Sequence, residues 1–276
     1  MLIDTHLHLI DRDRIAYPWL KDVPPLDRDW SYDAYEAEAR RLGIGATLHM
    51  EVDCAPHDIG KETAWIAELM RRPDSLIKGA ISSARPESEG FGAFLDGLDL
   101  AVVRGIRRVL HVVPDEVSQG ARFRANIRKL GQAGLPFDIC VLARQLPLAA
   151  ALADSCEGTE FVLDHCGVPD IAGEGFDDWA RDITKLAKRP NVSAKISGIS
   201  AYAAPDWTLD TLRPYAEHII ASFGWSRVVW GSDSPVCTLN ASLSQWVAAT
   251  RALFSEASDA ERRALFSGNA RRIWSL

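Results

Sequence analysis

The feature that most constrains this chain is a regular alternation of short β-branched runs with longer amphipathic segments rich in alanine, leucine and arginine. Such alternation is typical of strand–helix–strand units, in which parallel strands form a sheet and the connecting helices cover it. We therefore expect an α/β fold with eight parallel strands. The predicted strands are Leu2–His6, Ala46–Glu51, Leu76–Ile81, Val102–Arg107, Phe137–Leu142, Phe161–His165, Val192–Ile196 and Val228–Ser232.

The segments between these runs have apolar residues at helical spacing. The predicted helices are Tyr32–Leu42, Lys61–Arg71, Ala121–Ala133, Leu146–Ser155, Asp177–Lys188 and Leu209–Phe223, followed by a closing helix over Asp259–Leu276. Eight strands with intervening helices in 276 residues favour a (β/α)8 TIM barrel, a fold of about 250 residues. Because no repeat, low-complexity tract or flexible linker interrupts the chain, we expect one domain over residues 1–276.

An open, doubly wound sheet is the structural alternative. It commonly carries a GxGxxG turn after the first strand or a GxxxxGK[ST] phosphate loop, and the sequence contains neither. The barrel is therefore the favoured architecture.

Charge and composition narrow the classes of partner. The net charge is −7 and the basic residues are dispersed, so the sequence shows no electrostatic footprint for nucleic acid. Apolar runs fall short of the roughly 20 residues that cross a bilayer, and Met1–His6 lacks the pattern of a secretory signal. Five dispersed cysteines without a CxxC pair argue against a disulfide framework. We expect a cytoplasmic protein that acts on a small molecule, and a homo-oligomer remains open.

Polar residues stand where several predicted strands end. His6 and His8 are two residues apart, so both side chains point to one face of the first strand. His165 and Asp233 end the sixth and eighth runs, and the carboxyl ends of barrel strands meet at one mouth. Imidazole and carboxylate groups gathered there can bind a divalent metal or act on a carbonyl. The plainer alternative is that His165 and Asp233 cap helices and that the histidine pair is merely solvated.

Four further residues are candidates for substrate binding. Arg107 and Lys195 stand near the mouth ends of the fourth and seventh strands, where either can neutralise a carboxylate, stabilise an oxyanion or form an ion pair. His49 ends the second strand. Trp19 belongs to an irregular stretch from about Leu9 to Ser31 that would cover the mouth, and it can stack on a sugar ring or anchor the loop.

Several motifs resemble the amidohydrolase-related family: DTHLHL at Asp4–Leu9, LDHCGVPD at Leu163–Asp170, GSDSPV at Gly231–Val236 and GNARRIW at Gly268–Trp274. Within it, the chain is most similar to the lactonase group through YPWL at Tyr17–Leu20, RGIR at Arg104–Arg107, NVSAKISG at Asn191–Gly198 and LRPYAEHIIASFG at Leu212–Gly224. The resemblance implies a TIM barrel. It also implies that the family's first-strand histidines are His6 and His8, its sixth-strand histidine His165 and its eighth-strand aspartate Asp233.

The resemblance further implies a hydrolase that opens a sugar-acid 1,4- or 1,5-lactone or a related dicarboxylic lactone. Asp233 would serve as the general base, while the histidines polarise the carbonyl directly or through a metal. Two alternatives remain: a metal-dependent nonoxidative decarboxylase of an aromatic or unsaturated acid, and a binding barrel without catalytic activity. Measuring acid release against carbon dioxide release distinguishes the first from a lactonase.

The same resemblance limits the metal content. Binuclear relatives use a carboxylated lysine on the fourth strand and a histidine on the fifth, but this chain has Val103–Arg107 and Asp138–Val141 in those regions. We therefore expect at most one divalent ion, zinc first, held by some of His6, His8, His165 and Asp233. Catalysis without a metal remains equally open.

Overall fold

Eight parallel strands, each paired with the next along the chain, form the centre of the molecule in a computed structural model that describes residues 1–173 and 175–276. The strands are β1 Leu2–Leu7, β2 Ile44–Met50, β3 Ile77–Ser83, β4 Val103–Val109, β5 Phe137–Cys140, β6 Phe161–Leu163, β7 Val192–Ile196 and β8 Val228–Trp230. The sheet closes on itself where the segment after β8 meets β1. There the His8 amide donates to the Ser234 carbonyl at 2.7 Å, and the Asp233 amide donates to the His6 carbonyl at 2.8 Å. The predicted TIM barrel is confirmed.

Helices lie between the strands. They are α1 Tyr32–Arg41, α2 Ile59–Met70, α3 Phe91–Asp96, α4 Glu116–Gln119, α5 Ala121–Gln132, α6 Leu146–Ser155, α7 Phe176–Leu186, α8 Leu209–Phe223, α9 Leu243–Leu253, α10 Asp259–Arg263 and α11 Asn269–Trp274. Hydroxyl caps start several of them: the Ser31 Oγ accepts from the third amide of α1, and Ser242 does the same for α9. In the described chain, no helix has both the length and the apolar character required to cross a bilayer.

The structure corrects several predicted boundaries. β5 ends at Cys140, β6 at Leu163 and β8 at Trp230, each two residues earlier than predicted. The backbone of His165 (φ 51°) and of Asp233 (φ 57°) is left-handed, which a strand cannot accommodate. The predicted closing helix over Asp259–Leu276 is also interrupted, because a π turn at Ala264–Gly268 separates α10 from α11.

The barrel interior has an apolar layer and a charged one. Strand residues such as Ile3, Leu48 and Val162 form an apolar cluster that includes Trp274 of α11. The ammonium group of Lys195 lies 5.4 Å from the centre of the Trp274 ring, and its side chain is fully buried. Charged groups therefore lie within the barrel between this apolar cluster and the mouth, where their mutual pairing must replace water.

Candidate functional site

Four side chains of β1 and of the turns after β6 and β8 converge at the mouth. The Asp233 Oδ1 lies 3.4 Å from the Nε2 of His8 and 3.7 Å from the Nε2 of His6, while its Oδ2 lies 3.6 Å from the Nδ1 of His165. Both Asp233 oxygens are buried and accept no hydrogen bond from the described residues. The structure therefore brings His6, His8, His165 and Asp233 together, around a carboxylate whose lone pairs are free to take a proton or a cation.

Left-handed backbone positions these side chains. His165 and Asp233 have positive φ angles, a conformation that costs a residue with a Cβ of the order of 1 kcal/mol or more. Gly198, after β7, packs against both, and a Cβ there would lie 2.5 Å from the Asp233 Oδ2 and 2.8 Å from the His165 Nδ1. Only glycine fits this position, so the end of β7 is shaped to admit the two functional groups.

Hydrogen bonds constrain the protons of the histidine pair. The His8 Nδ1 lies 3.0 Å from the Met50 carbonyl and must donate to it, which leaves the Nε2 of a neutral His8 as an acceptor. The His6 Nδ1 lies 3.2 Å from the Lys195 ammonium, which can only donate. A neutral His6 then carries its proton on Nε2 and donates it to the His8 Nε2, 3.2 Å away.

His6 also has an acceptor for the other tautomer. The Asp164 Oδ1 lies 3.4 Å from its Nδ1 and can accept a proton placed there. Burial, assisted by the charge of Lys195, lowers the pKa of His6 well below its usual range, and burial also lowers the pKa of His165. Both rings are therefore neutral at pH 7, and His6 can present either a proton or a lone pair at Nε2.

Lys195 lies beneath the histidines. Its ammonium group is 2.7 Å from the Asp138 Oδ1 and 2.8 Å from the Asp164 Oδ1, with all three side chains fully buried. Burial raises the pKa of Asp138, whereas the cation and His6 hold the pKa of Asp164 well below its usual range. We call Lys195, Asp138 and Asp164 the charged layer. Lys195 thus has two carboxylate partners of its own below the mouth.

Arg107, at the end of β4, also has a carboxylate partner. Its Nε donates to the Glu51 Oε1 at 2.5 Å and its Nη2 to the Glu51 carbonyl at 2.7 Å. Its Nη1 lies 3.4 Å from the His6 Nε2 and 3.5 Å from the Asp164 Oδ2. Complete burial would raise the pKa of Glu51, but the positive charge of Arg107 outweighs this effect and lowers it. The contacts with Glu51 hold the guanidinium so that its Nη1 faces the site.

The donor set fits one divalent ion. The His6 Nε2, His8 Nε2 and Asp233 Oδ1 are separated by 3.2, 3.4 and 3.7 Å. Ligand atoms at about 2.0–2.1 Å from a tetrahedral zinc ion lie roughly 3.3 Å apart. His165 offers a further nitrogen, because its ligand atom and those of His6 and Asp233 all lie within 4.8 Å of one another. The cationic Arg107 beside these atoms opposes a second ion.

A cavity of about 220 Å³ opens beside this cluster. Its polar lining, within the described chain, consists of His8, Asp53, Arg107, His111, Cys140, His165, Tyr202 and Asp233. The predicted stretch over the mouth supplies Trp19, whose Nε1 donates to the Val52 carbonyl at 2.8 Å. Of the other predicted residues, His6, His49 and Lys195 lie outside this lining. His49 is buried, and its Nε2 has no hydrogen-bond partner among the described residues.

Beyond the predicted residues, the cavity has four further polar lining residues: Asp53, His111, Cys140 and Tyr202. The first three stand at or within three residues of the end of a strand, a position that signals the mouth of a barrel. Tyr202 lies six residues beyond β7, and its place depends on the loop conformation. The ring centre of Tyr202 is 6.0 Å from that of His165, so this loop residue directly neighbours the histidine cluster.

The chain is similar to several known proteins over most of its length. L-fucono-1,5-lactonase from Burkholderia multivorans is 30% identical over 99% of this chain and 96% of that protein. L-fucono-1,5-lactonase from Burkholderia ambifaria is 32% identical over 86% of this chain and 81% of that protein. A crystal structure of an amidohydrolase from Burkholderia multivorans with bound zinc superposes with a TM-score of 0.91 at 26% identity, covering 100% of this chain and 99% of that one. The amidohydrolase family model matches residues 3–276, and the chain therefore belongs to the amidohydrolase family.

Proposed function

We propose that this protein hydrolyses a lactone, with Asp233 as the general base. The observation that carries the proposal is the buried Asp233 carboxylate, unpartnered among the described residues, which lines a cavity between three histidines. The similarity to two L-fucono-1,5-lactonases, over 99% and 86% of this chain, supports a cyclic ester as the substrate class. The ring would be a sugar-acid 1,4- or 1,5-lactone or a related lactone.

Asp233 is suited to proton transfer because neither of its carboxylate oxygens accepts a hydrogen bond from the described residues. In the addition step, Asp233 takes one proton from a water molecule as the water oxygen bonds to the lactone carbonyl carbon. The His8 Nε2 lies 3.4 Å from the Asp233 Oδ1 and can contact the same water. When the ring C–O bond breaks, Asp233 returns the proton to the departing alkoxide. The products are a hydroxy acid and the regenerated carboxylate.

Arg107 is the group that stabilises negative charge on the carbonyl oxygen. It lines the cavity and is oriented by Glu51, so its guanidinium does not reorganise when the oxyanion forms. The His6 Nε2 lies 3.4 Å from the Arg107 Nη1, so His6 borders the place where the oxyanion forms. Because Lys195 lies below the cavity, we assign it the positioning of His6 through Nδ1 rather than contact with substrate.

We further propose that the site binds one divalent ion, with zinc as the first candidate. His6, His8 and Asp233 would hold it, with His165 as a further ligand. A bound ion supplies Lewis-acid polarisation of the lactone carbonyl. Binding requires the His6 Nε2 to give up its proton, and the Asp164 Oδ1 next to Nδ1 accommodates that tautomer.

The deciding experiment is a pH-indicator screen of aldonolactones and dicarboxylic-acid lactones, with and without chelator, together with elemental analysis. Release of one acid equivalent per ring opened supports the proposal. Carbon dioxide release from aromatic or unsaturated acids, without lactone turnover, would identify a decarboxylase. Binding of lactones without any turnover would identify a non-catalytic barrel.

A further inference from the structure

One side of the cavity is apolar. Loops that follow the neighbouring strands β8, β1 and β2 supply six apolar side chains to its lining, which we call the apolar wall: Ile10, Trp19, Leu26, Val52, Pro235 and Val236. The single polar atom of the Trp19 ring is already bonded to the Val52 carbonyl. The wall therefore offers ring and alkyl surface, and a polar group placed against it would lose its water without gaining a partner.

The charges around the cavity do not favour an anionic substituent. Within the described chain, Arg107 is the one arginine or lysine that lines the cavity, and Glu51 already pairs with it. Asp53 and Asp233 bring two carboxylates to the lining. Apart from the ion proposed at Asp233, a carboxylate substituent on the lactone would therefore meet these two carboxylates without an uncommitted protein cation.

Two more arginines lie close to the Asp53 carboxylate. The Oδ1 of Asp53 is 3.5 Å from Arg85 and 3.9 Å from Arg108, and Arg108 also pairs with Glu87 at 2.9 Å. The positive charges of Arg85 and Arg108 are therefore balanced by the carboxylates of Asp53 and Glu87. The cluster as a whole adds no net positive charge with which the cavity could hold an anion.

We propose that the substrate is a neutral lactone with an apolar substituent, which lies against the apolar wall while the ester group faces Asp233 and Arg107. This inference rests on the proposed lactone hydrolysis and narrows it, because it excludes lactones of dicarboxylic acids as preferred substrates. Val109 at the end of β4 and Val112, which is 58% exposed, extend the apolar lining to this side of the cavity. The substituent therefore has apolar contacts on more than one side.

A matched series of substrates tests the inference. δ-Valerolactones substituted at C5 with methyl, hydroxymethyl or carboxylate share one ring and one reaction. Differences in kcat/KM among them therefore measure the effect of the substituent. The methyl compound should exceed the hydroxymethyl compound by about tenfold, the scale of small apolar contacts, and the carboxylate by more. If the carboxylate or hydroxymethyl lactone is turned over as fast as the methyl lactone or faster, this inference is wrong while the proposed lactone hydrolysis stands. Turnover of no lactone overturns the proposed function and, with it, the inference.

Two arginine variants test whether this cavity holds the substituent. Val112→Arg places a cation in the lining at an exposed position, and Leu239→Arg places the same charge at a residue that is 37% exposed and outside the lining. Val112→Arg should raise the carboxylate-to-methyl ratio of kcat/KM by about threefold, the scale of a solvent-exposed ion pair. Leu239→Arg should leave the ratio unchanged. An equal effect of both variants, or none from Val112→Arg, overturns the inference.

Discussion

The Lys195 ammonium lies 3.2 Å from the Nδ1 of His6, and both side chains are completely buried. Replacing Lys195 with Met would leave Asp138 without a cationic partner and Asp164 with Arg107 alone. Breaking a buried ion pair in this way costs about 3–5 kcal/mol, so Lys195→Met should lower the free energy of unfolding by that amount in urea titrations. Lys185→Met is the control, because Lys185 is exposed and its pair with Asp182 contributes little. Equal losses in the two variants would contradict the importance of the charged layer.

Asp233→Asn tests the general base. The amide preserves shape but cannot accept the proton of the attacking water, so kcat should fall by about a hundredfold or more. The far-ultraviolet circular dichroism spectrum should be unchanged. Asp206→Asn, at an exposed position beyond β7, should retain wild-type kcat. Near-normal turnover by Asp233→Asn would show that another group removes the proton.

Stability should fall as the solution becomes acidic. Burial lowers the pKa of His111 from its usual 6.5 to about 4 in the folded protein. Between these values the unfolded chain binds more protons, so the stabilisation is complete above pH 6.5 and is lost as the pH falls toward 4. His6, His49 and His165 act in the same direction, since burial lowers their pKa values as well.

Urea titrations between pH 7 and pH 4 of the wild type and His111→Asn measure this effect. One histidine contributes a slope of at most ~1.4 kcal/mol per pH unit, and the His111→Asn variant should show a shallower slope than the wild type. His57→Asn should match the wild type, because the His57 side chain is 74% exposed. Identical slopes for all three proteins would contradict the prediction.

Metal content provides a further test. Elemental analysis of protein stripped with chelator and reloaded with zinc should find one ion per chain, and reloading should raise the melting temperature because the ion binds only the folded site. His8→Gln should remove both effects, whereas His57→Gln should keep them. Two ions per chain, or full zinc binding by His8→Gln, would refute the proposed ligand set.

Much of the fold could be predicted because it depends on local pattern. The β-branched runs identify eight strands, and the spacing of His6 and His8 on β1 indicates a shared face. The ends of β6 and β8 could not be placed, since they depend on left-handed turns at His165 and Asp233, whose side chains pack against Gly198. Strand periodicity alone carries no information about such turns.

The partners of the buried charges were equally inaccessible from sequence. Lys195 was expected at the mouth as a substrate-binding residue, but its two carboxylates come from β5 and from the turn after β6. Which charged side chain meets which depends on the register between strands, and a one-residue change of register moves a side chain to the other face. The same is true of Arg107, whose pairing with Glu51 could not be read from the sequence.

The backbone hydrogen bonds from Asp233 to His6 and from His8 to Ser234 close the barrel, so the functional residues themselves form part of the contact between its first and last strands. The residues that meet here are more than two hundred positions apart in the chain, so contacts of very long sequence separation complete the site. A refolding chain can form the seven sequential strand pairs and most of its helices while it remains inactive. Its circular dichroism signal would then have largely recovered. Recovery of enzymatic activity should therefore follow recovery of secondary structure and report the completion of the native topology.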